Sequence, residues 1–283
     1  DWYLASGGWS DGYRARRIRE RLTAKAKLSP DEIAAVHGDA YSIRARDLVP
    51  ALVHVVEGID QPLARSATRV LARWNFELSV ESVGASIWSA FWAEWCLALA
   101  RARFPQGLVD VAAMKVGLVG GQLLLGEQLD WFREGRTDEE IRAAFARAVS
   151  ALAAWGGDDV RRWRWGKLHR VTHPHPLATS PALAELFSTG PYPTSGGQTV
   201  RAAGYALKVP FDATSGSTYR LVADLSQPDA FRTVQTLGQS GHLGSPHYRD
   251  QTRLWLENRY HPFWMNESDV LANLESETTI GPG

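Results

Sequence analysis

Along the first half of the chain, apolar residues recur every third or fourth position, the spacing that gathers them on one side of a helix. Ser6 to Gly12 reads as a loop among aromatics, and Tyr13–Leu22 as a short basic helix. Ser29-Pro30-Asp31-Glu32 combines an N-cap hydroxyl, a proline at the first helical position and a glutamate three residues after the cap. Behind it Ile33, Val36, His37 and Ala40 share a face, with Asp39 opposite. A helix from Leu48 to about Val56 gives out near Gly58, and Leu63, Ala67, Val70, Leu71 and Trp74 carry the next. Ile87, Phe91, Trp95 and Leu99 form one stripe over Val83–Ala102. Gly126–Phe132 predicts one or two helical turns. Thr137-Asp138-Glu139-Glu140 reads as a second capping box, opening a helix through Phe145, Val149 and Leu152 to Gly156-Gly157.

The pattern changes after about Trp165. Prolines at 174, 176, 181, 191 and 193, with Gly196-Gly197, cut the chain into short pieces. Thr199–Tyr205, Phe211–Thr214 and Tyr219–Asp224 are predicted strands, rich in Val, Thr and aromatics, and Asn266 caps a last helix through Val270 and Leu274. The class is α+β, with a mainly helical region over 1–160 and a strand-containing region over 161–283. No repeat period is visible.

Composition narrows the possibilities. The 283 residues are 45% hydrophobic and include 12 Trp, 9 Phe and 8 Tyr, which excludes a solvated, disordered chain. Lys+Arg and Asp+Glu number 31 each, so the formal net charge is zero and binding to nucleic acid by phosphate neutralisation is not expected. One cysteine, Cys96, excludes a disulfide framework and a cysteine-ligated metal or cluster. No apolar run reaches about 18 residues, so a spanning helix is not predicted. The sequence opens on Asp-Trp-Tyr, without an initiator Met or a signal peptide, and reads as a processed product or an excised piece.

Candidate chemistry is sparse. His173-Pro174-His175 would put two imidazoles on one side of a strand, a conceivable metal pair, but with no acidic residue nearby a proline-fixed turn is the better reading. Ser240, His242, Ser245 and His247 resemble a Ser/His hydrolase in composition only, since no G-x-S-x-G elbow exists. Gly117, Gly120 and Gly121 lack the Lys-Ser/Thr of a phosphate loop. Asp158-Asp159 supplies too few oxygens for calcium and is expected to cap the next segment. Arg161-Arg162-Trp163-Arg164-Trp165 is expected to form a structural cation–π ladder rather than a base-stacking surface. Residue types and spacings alone thus give no self-contained active site.

The last third carries a resemblance. Trp165-Gly166-Lys167-Leu168-His169-Arg170, then His175-Pro176-Leu177, is similar to the WG-x-x-HR … HPL segment of the penicillin amidase family. Gly196-Gly197-Gln198-Thr199-Val200 and Ser215 to Leu225 resemble its GG-x-TV and SG-x-S-x-R-x-V-x-D-L stretches. Gly238-Gln239-Ser240-Gly241, Ser245-Pro246-His247-Tyr248 and Asp250-Gln251 resemble its GQSG … S-x-HY-x-DQ signature, with Trp255 and Tyr260 following. The helical half matches more loosely, through Gly12 to Ile18 and Ser29 to Glu32.

The resemblance implies an N-terminal-nucleophile hydrolase of αββα architecture, to whose sandwich the C-terminal strands would belong, incomplete here. In that family a precursor cleaves itself into an α chain and a larger β chain. The Ser exposed at the start of the β chain attacks a linear amide such as a β-lactam side chain, its own α-amino group acts as base, and backbone and Asn donors hold the oxyanion. Residue 1 here is Asp, and Asn75, the sole Asn before residue 258, lies in a tract that does not match. Nucleophile, base and oxyanion Asn are therefore expected upstream of Asp1, making this the C-terminal part of a β chain, inactive by itself. The expected partners are the α chain and the N-terminal part of the β chain of the same precursor, with a small-molecule amide as substrate and neither nucleic acid nor membrane.

Arg14 best matches the family arginine that helps position the nucleophile's amino terminus and the oxyanion Asn. Its alternative is a surface cation on a basic helix shared with Arg16, Arg17, Arg19 and Arg21. The family's structural calcium takes ligands mostly upstream, so no cofactor or metal is assigned to this chain. Arg220 and Asp224 are expected to pair on a strand, and His169, His247 and Tyr248 to satisfy buried polar partners. Localisation by resemblance is periplasmic or secreted. Cut sheet edges predict exposed apolar patches or self-association. The rival to the enzyme is a non-catalytic binding or scaffold module that reuses the same C-terminal region.

Overall fold

A computed structural model of the chain describes residues 11–127, 129–132, 136–227, 229 and 231–281. The loop expected over Ser6–Gly12 lies outside them up to Ser10. The helices are α1 (Tyr13–Leu22), α2 (Pro30–His37), α3 (Ile43–Val56), α4 (Pro62–Ala72), α5 (Val83–Arg103), α6 (Val109–Ala113), α7 (Gly117–Leu124), α8 (Thr137–Gly156), α9 (Trp165–Leu168), α10 (Pro181–Phe187), α11 (Thr252–Leu256) and α12 (Glu267–Ala272). The strands are β1 (Arg170–His173), β2 (Thr189–Pro193), β3 (Ala203–Tyr205), β4 (Ala213–Gly216), β5 (Tyr219–Val222), β6 (Phe231–Gln235) and β7 (His261–Phe263). The class is α+β, as the pattern predicts, and the described strands all follow His169. The described residues group into two compact units. The larger joins the described residues through Thr23 to Asp39–Gly216, and the smaller joins Ala24–Gly38 to the residues from Ser217 onward.

The larger unit is built around α5. Ser82 caps it by accepting the Ala85 amide at 3.1 Å, and Phe91, Trp95 and Leu99 are fully buried against Phe145 and Leu152 of α8 and Leu48 and Leu52 of α3. By length and composition α5 could cross a bilayer, contrary to the expectation from apolar runs. Ser86, Ser89 and Glu94 interrupt the run while the average stays apolar, and burial on nearly every side identifies α5 as the core helix of its unit. The unit's sheet has the order β2-β1-β4-β3, with β1 parallel to β4 and the outer pairs antiparallel. Pro191 and Pro193 are tolerated because β2 is an edge strand.

Several boundaries differ from expectation. Ser42 accepts the Ala45 amide at 3.1 Å and starts α3 at Ile43, well before Leu48. Thr137 is already helical, and the cap position of α8 is Arg136 with no side-chain bond, so no capping box forms there. The helical turns expected over Gly126–Phe132 are absent from the described residues of that stretch. Gly126 takes a φ of 82° that stops the chain after α7. The strand expected over Thr199–Tyr205 shortens to β3, because the Thr199 hydroxyl donates to the Arg201 carbonyl at 2.9 Å and tightens the turn before it.

In the smaller unit the antiparallel sheet β5-β6-β7 accompanies α2. The Ser29–Glu32 capping box is complete, with both reciprocal bonds made at 3.3 and 3.0 Å. Asn258, in the left-handed region at φ 55°, donates to the Ala34 carbonyl at 2.9 Å and so ties the C-terminal segment to α2. His37 Nδ1 lies 2.6 Å from the Tyr260 hydroxyl. Asn266 caps α12 as predicted, accepting the Asp269 amide at 2.8 Å.

Candidate functional site

Helix α1 is amphipathic in charge rather than in apolar content, and its two sides do different things. Arg17 faces inward. Its Nε lies 3.1 and 3.0 Å from the two oxygens of Asp39, its Nη2 2.8 Å from Oδ2, and its guanidinium lies 4.4 Å over the Tyr41 ring. The Asp39 side chain is only 5% exposed and also accepts the Tyr41 amide at 3.1 Å, while Arg21 Nε stands 3.5 Å away. Burial works against the Arg17 charge, but the hydrogen bonds to Asp39 outweigh it and hold the guanidinium above its ordinary pKa. The pair therefore locks α1 at a fixed rotation.

Arg14, the expected functional residue, lies on the exposed part of α1 and makes no hydrogen bond or ion pair with the described residues. Arg16, its neighbour, pairs with Asp47 at 2.9 Å, and Arg46 joins Glu20 at 3.2 Å. Arg14 is thus a guanidinium held out from a helix whose orientation is set by Arg17 and Asp39.

Beside α1 lies a polar cavity of about 480 Å³. Arg44, the second residue of α3, forms an ion pair with Asp11, bonds Gln198, and lies 4.9 Å over the Trp92 ring. Tyr205 and Cys96 close the inner wall, and Met114, Lys115, Gly117 and Leu118 the outer one. The Tyr205 hydroxyl donates to Ser89 at 3.2 Å, and burial holds the phenol protonated. Burial also pushes the Cys96 thiol up to about 12, so it stays protonated and is no nucleophile at neutral pH. Arg17, Asp39 and Arg44 escaped the sequence reading. Arg17 looked like one of five cations on a helix, and Asp39 like the polar side of the following one. No local signal in the sequence marked the Arg17–Asp39 contact.

The other candidates resolve into local roles. His175 Nδ1 accepts the Leu177 amide at 3.1 Å, its ring stacks on Phe187 with centroids 5.1 Å apart, and His173 Nδ1 meets Thr189 at 3.4 Å. Ser240 and Ser245 accept the amides of His242 and His247, both at 3.1 Å, as turn caps. His247 is half-exposed, not buried as expected, because its two ring nitrogens face Asp250 at 2.8 Å and Glu275 at 3.1 Å at the surface. Those hydrogen bonds raise its pKa, and neither nitrogen is left to activate a serine. Asp159 caps the turn at Val160 as expected, accepting the Arg161 amide at 3.1 Å.

Two expectations fail. Among the described residues no arginine of 161–164 lies over an indole. Trp163 and Trp165 are fully buried, donating to the carbonyls of Gly157 and Gly196, while Arg161 and Arg164 turn outward to Asp159 and Glu81. Arg220 and Asp224 do not pair, because β5 ends at Val222. Arg220 is buried over the Trp255 ring and donates to the Trp255 carbonyl at 2.9 Å, whereas Asp224 closes a turn on Ser226. His169 does find its buried partner, the Phe211 carbonyl at 2.6 Å. Among the described residues no group of three or more His, Cys, Asp or Glu could hold a metal ion, so they offer no ligand set for the calcium that the resemblance allows.

Comparison with known proteins supplies what this geometry lacks. Penicillin acylase 2 proenzyme of Pseudomonas sp. strain SE83 is 33% identical over 95% of this chain, which covers 35% of that protein. The acyl-homoserine lactone acylase QuiP of Pseudomonas syringae pv. syringae is 28% identical over 98% of the chain, covering 37% of its own length. The chain thus spans about a third of these curated relatives. A thermostable penicillin G acylase from Alcaligenes faecalis superposes on 98% of this chain with a TM-score of 0.63 at 15% identity, the match covering 53% of that chain, and so shares its fold. Residues 1–272 match the penicillin amidase family, and at this extent of agreement the chain belongs to it.

Proposed function

We propose that this chain is the C-terminal part of the β chain of an acylase that hydrolyses a linear amide, releasing a carboxylic acid and an amine. The observation that carries the reading is the family match over residues 1–272, joined by relatives named as penicillin and acyl-homoserine lactone acylases. The relatives' greater length leaves room for an α chain and the N-terminal part of the β chain, where the serine nucleophile, its α-amino base and the oxyanion donors would lie. A free hydroxyl attacks an amide only when a nearby base takes its proton, and the tetrahedral oxyanion needs donors aimed at it. Among the described residues Cys96 is buried and protonated, and the serines beside His242 and His247 are turn caps.

In this reading the chain's contribution is positional. The Arg17–Asp39 pair fixes α1, and α1 holds the Arg14 guanidinium toward the segment that bears the nucleophile, where its charge orients the amino terminus and the oxyanion Asn. Export to the periplasm or beyond belongs to the same proposal.

The test has two arms. The coding frame upstream of Asp1 should contain a Ser-initiated family segment, and an unrelated domain or a stop codon there supports the scaffold reading instead. The 283-residue chain should leave a chromogenic phenylacetyl anilide uncleaved while the full-length product turns it over, since loss of an activated serine costs hydrolases on the order of 10⁶ in kcat. Turnover by the isolated chain above a denatured control defeats the proposal. Arg14→Ala in the full-length enzyme should lower kcat, and unchanged kinetics remove Arg14 from the site.

A further inference from the structure

Residues 106–125 are apolar on both sides. Across the turn before α6, α6 itself and α7, the charged residues are Asp110 and Lys115. One side is committed to the core of the larger unit, with Val109, Ala113, Val116 and Leu123 each no more than 5% exposed. The opposite side leaves Leu108, Val111, Met114, Leu118 and Leu125 between 53% and 67% exposed. Isolated exposed leucines are ordinary, but five large apolar side chains in one short segment form a ridge. A segment apolar all round is normally covered on both sides.

Two observations say what covers it. The chain spans 35% and 37% of two relatives, so about two-thirds of the family polypeptide lies outside it. Asp11, which leads into α1, lines the same cavity as Met114, Lys115, Gly117 and Leu118, so the segment just before α1 passes beside the ridge.

We propose that the α6–α7 ridge is the docking surface for the N-terminal remainder of the precursor, the α chain and the first part of the β chain, which meets it with an apolar face. This rests on the fragment reading above. It goes further in assigning the surface through which the pieces hold together.

Met114 is a built-in reporter, because peroxide converts an exposed thioether to its sulfoxide. In the isolated chain Met114 should oxidise readily, as followed by peptide mass spectrometry. In the full-length processed enzyme it should oxidise about ten-fold more slowly. A Val111→Glu/Leu118→Glu double variant should abolish co-purification of the two processed chains, while the 283-residue chain bearing the same changes keeps its Tm. An active full-length enzyme in which Met114 oxidises as fast as in the isolated chain, or in which the double variant still co-purifies, overturns the docking proposal and leaves the function intact. Concentration-dependent protection of Met114 in the isolated chain, with no further protection in the full-length enzyme, assigns the ridge to a second copy and also overturns it. Absence of an upstream family segment removes both proposals together.

Discussion

Acidification should unlock the larger unit through one residue. His169 is fully buried, its ring stacks on Trp165 with centroids 4.5 Å apart, and Nδ1 donates to the Phe211 carbonyl at 2.6 Å. Its Nε2 has no hydrogen-bond partner among the described residues, so a second proton there would be a buried charge with no hydrogen bond, and the attraction of Asp212 is opposed by Arg201. Burial pushes the pKa down to about 4, against the pull of the Phe211 carbonyl. The unfolded ring protonates near its ordinary value of about 6.5. Between those values the unfolded chain binds the extra proton and the folded chain does not, so stability is present above about pH 6.5 and is lost as pH falls toward 4. The slope is about 1.4 kcal/mol per pH unit, which accumulates to about 3 kcal/mol. Urea unfolding of the chain and of His169→Phe, followed by tryptophan fluorescence from pH 7 to 4.5, isolates the effect. The variant leaves the Phe211 carbonyl unpaired and should be about 1–3 kcal/mol less stable at pH 7. That gap should close, or reverse, at pH 4.5. A gap constant to within about 0.5 kcal/mol across the range refutes the reasoning.

Three other outcomes are expected. Asp39→Asn leaves the part-buried Arg17 guanidinium with only Glu20, 3.4 Å away, as a counterion and should cost about 2 kcal/mol, between a surface and a buried pair, read from urea unfolding at pH 7; a loss below about 1 kcal/mol, the range of a surface pair, means that the pair does not fix α1. Gly84→Ala should destabilise despite a helix-propensity gain of about 1 kcal/mol, because the new methyl would stand 2.3 Å from Trp74 Cγ and overpacking costs about 1–3 kcal/mol; a raised Tm shows instead that Trp74 yields. The His247 imidazole should titrate above its ordinary range in NMR, and Asp250→Asn should bring it down, whereas an unchanged titration contradicts the hydrogen bond at 2.8 Å.

Helices were the most legible part of this fold. Tyr13–Leu22 was predicted to the residue, as was the start at Ser29, and Val83–Arg103 ended within one residue of expectation. Gly117–Leu124 lay within the mainly helical region but was not delimited as an element, since its glycines weaken the local helical pattern. Packing overrides that propensity: a side chain at Gly120 would sit 3.0 Å from Leu99, and the Gly120 carbonyl accepts the Trp95 indole at 3.1 Å. The strands were harder because they are short, bulged at Val171/His173 and Gly204/Tyr205, and in β2 interrupted by two prolines. Arg14 stands as a candidate through resemblance alone. The Arg17–Asp39 pair joins positions that no local pattern connects, and a tertiary contact of that kind leaves no periodic trace.

The early detour of the backbone through the smaller unit constrains the order of events during synthesis. Ala24–Gly38 leaves the ribosome long before Ser217 and the residues after it, yet α2 finds its anchors, Asn258 and Tyr260, only there. The residues of the larger unit are all translated before that late segment begins, so this unit can condense around α5 while α2 still waits for its partners. Removing the last sixty-odd residues would therefore strand an early helix as well as delete late strands.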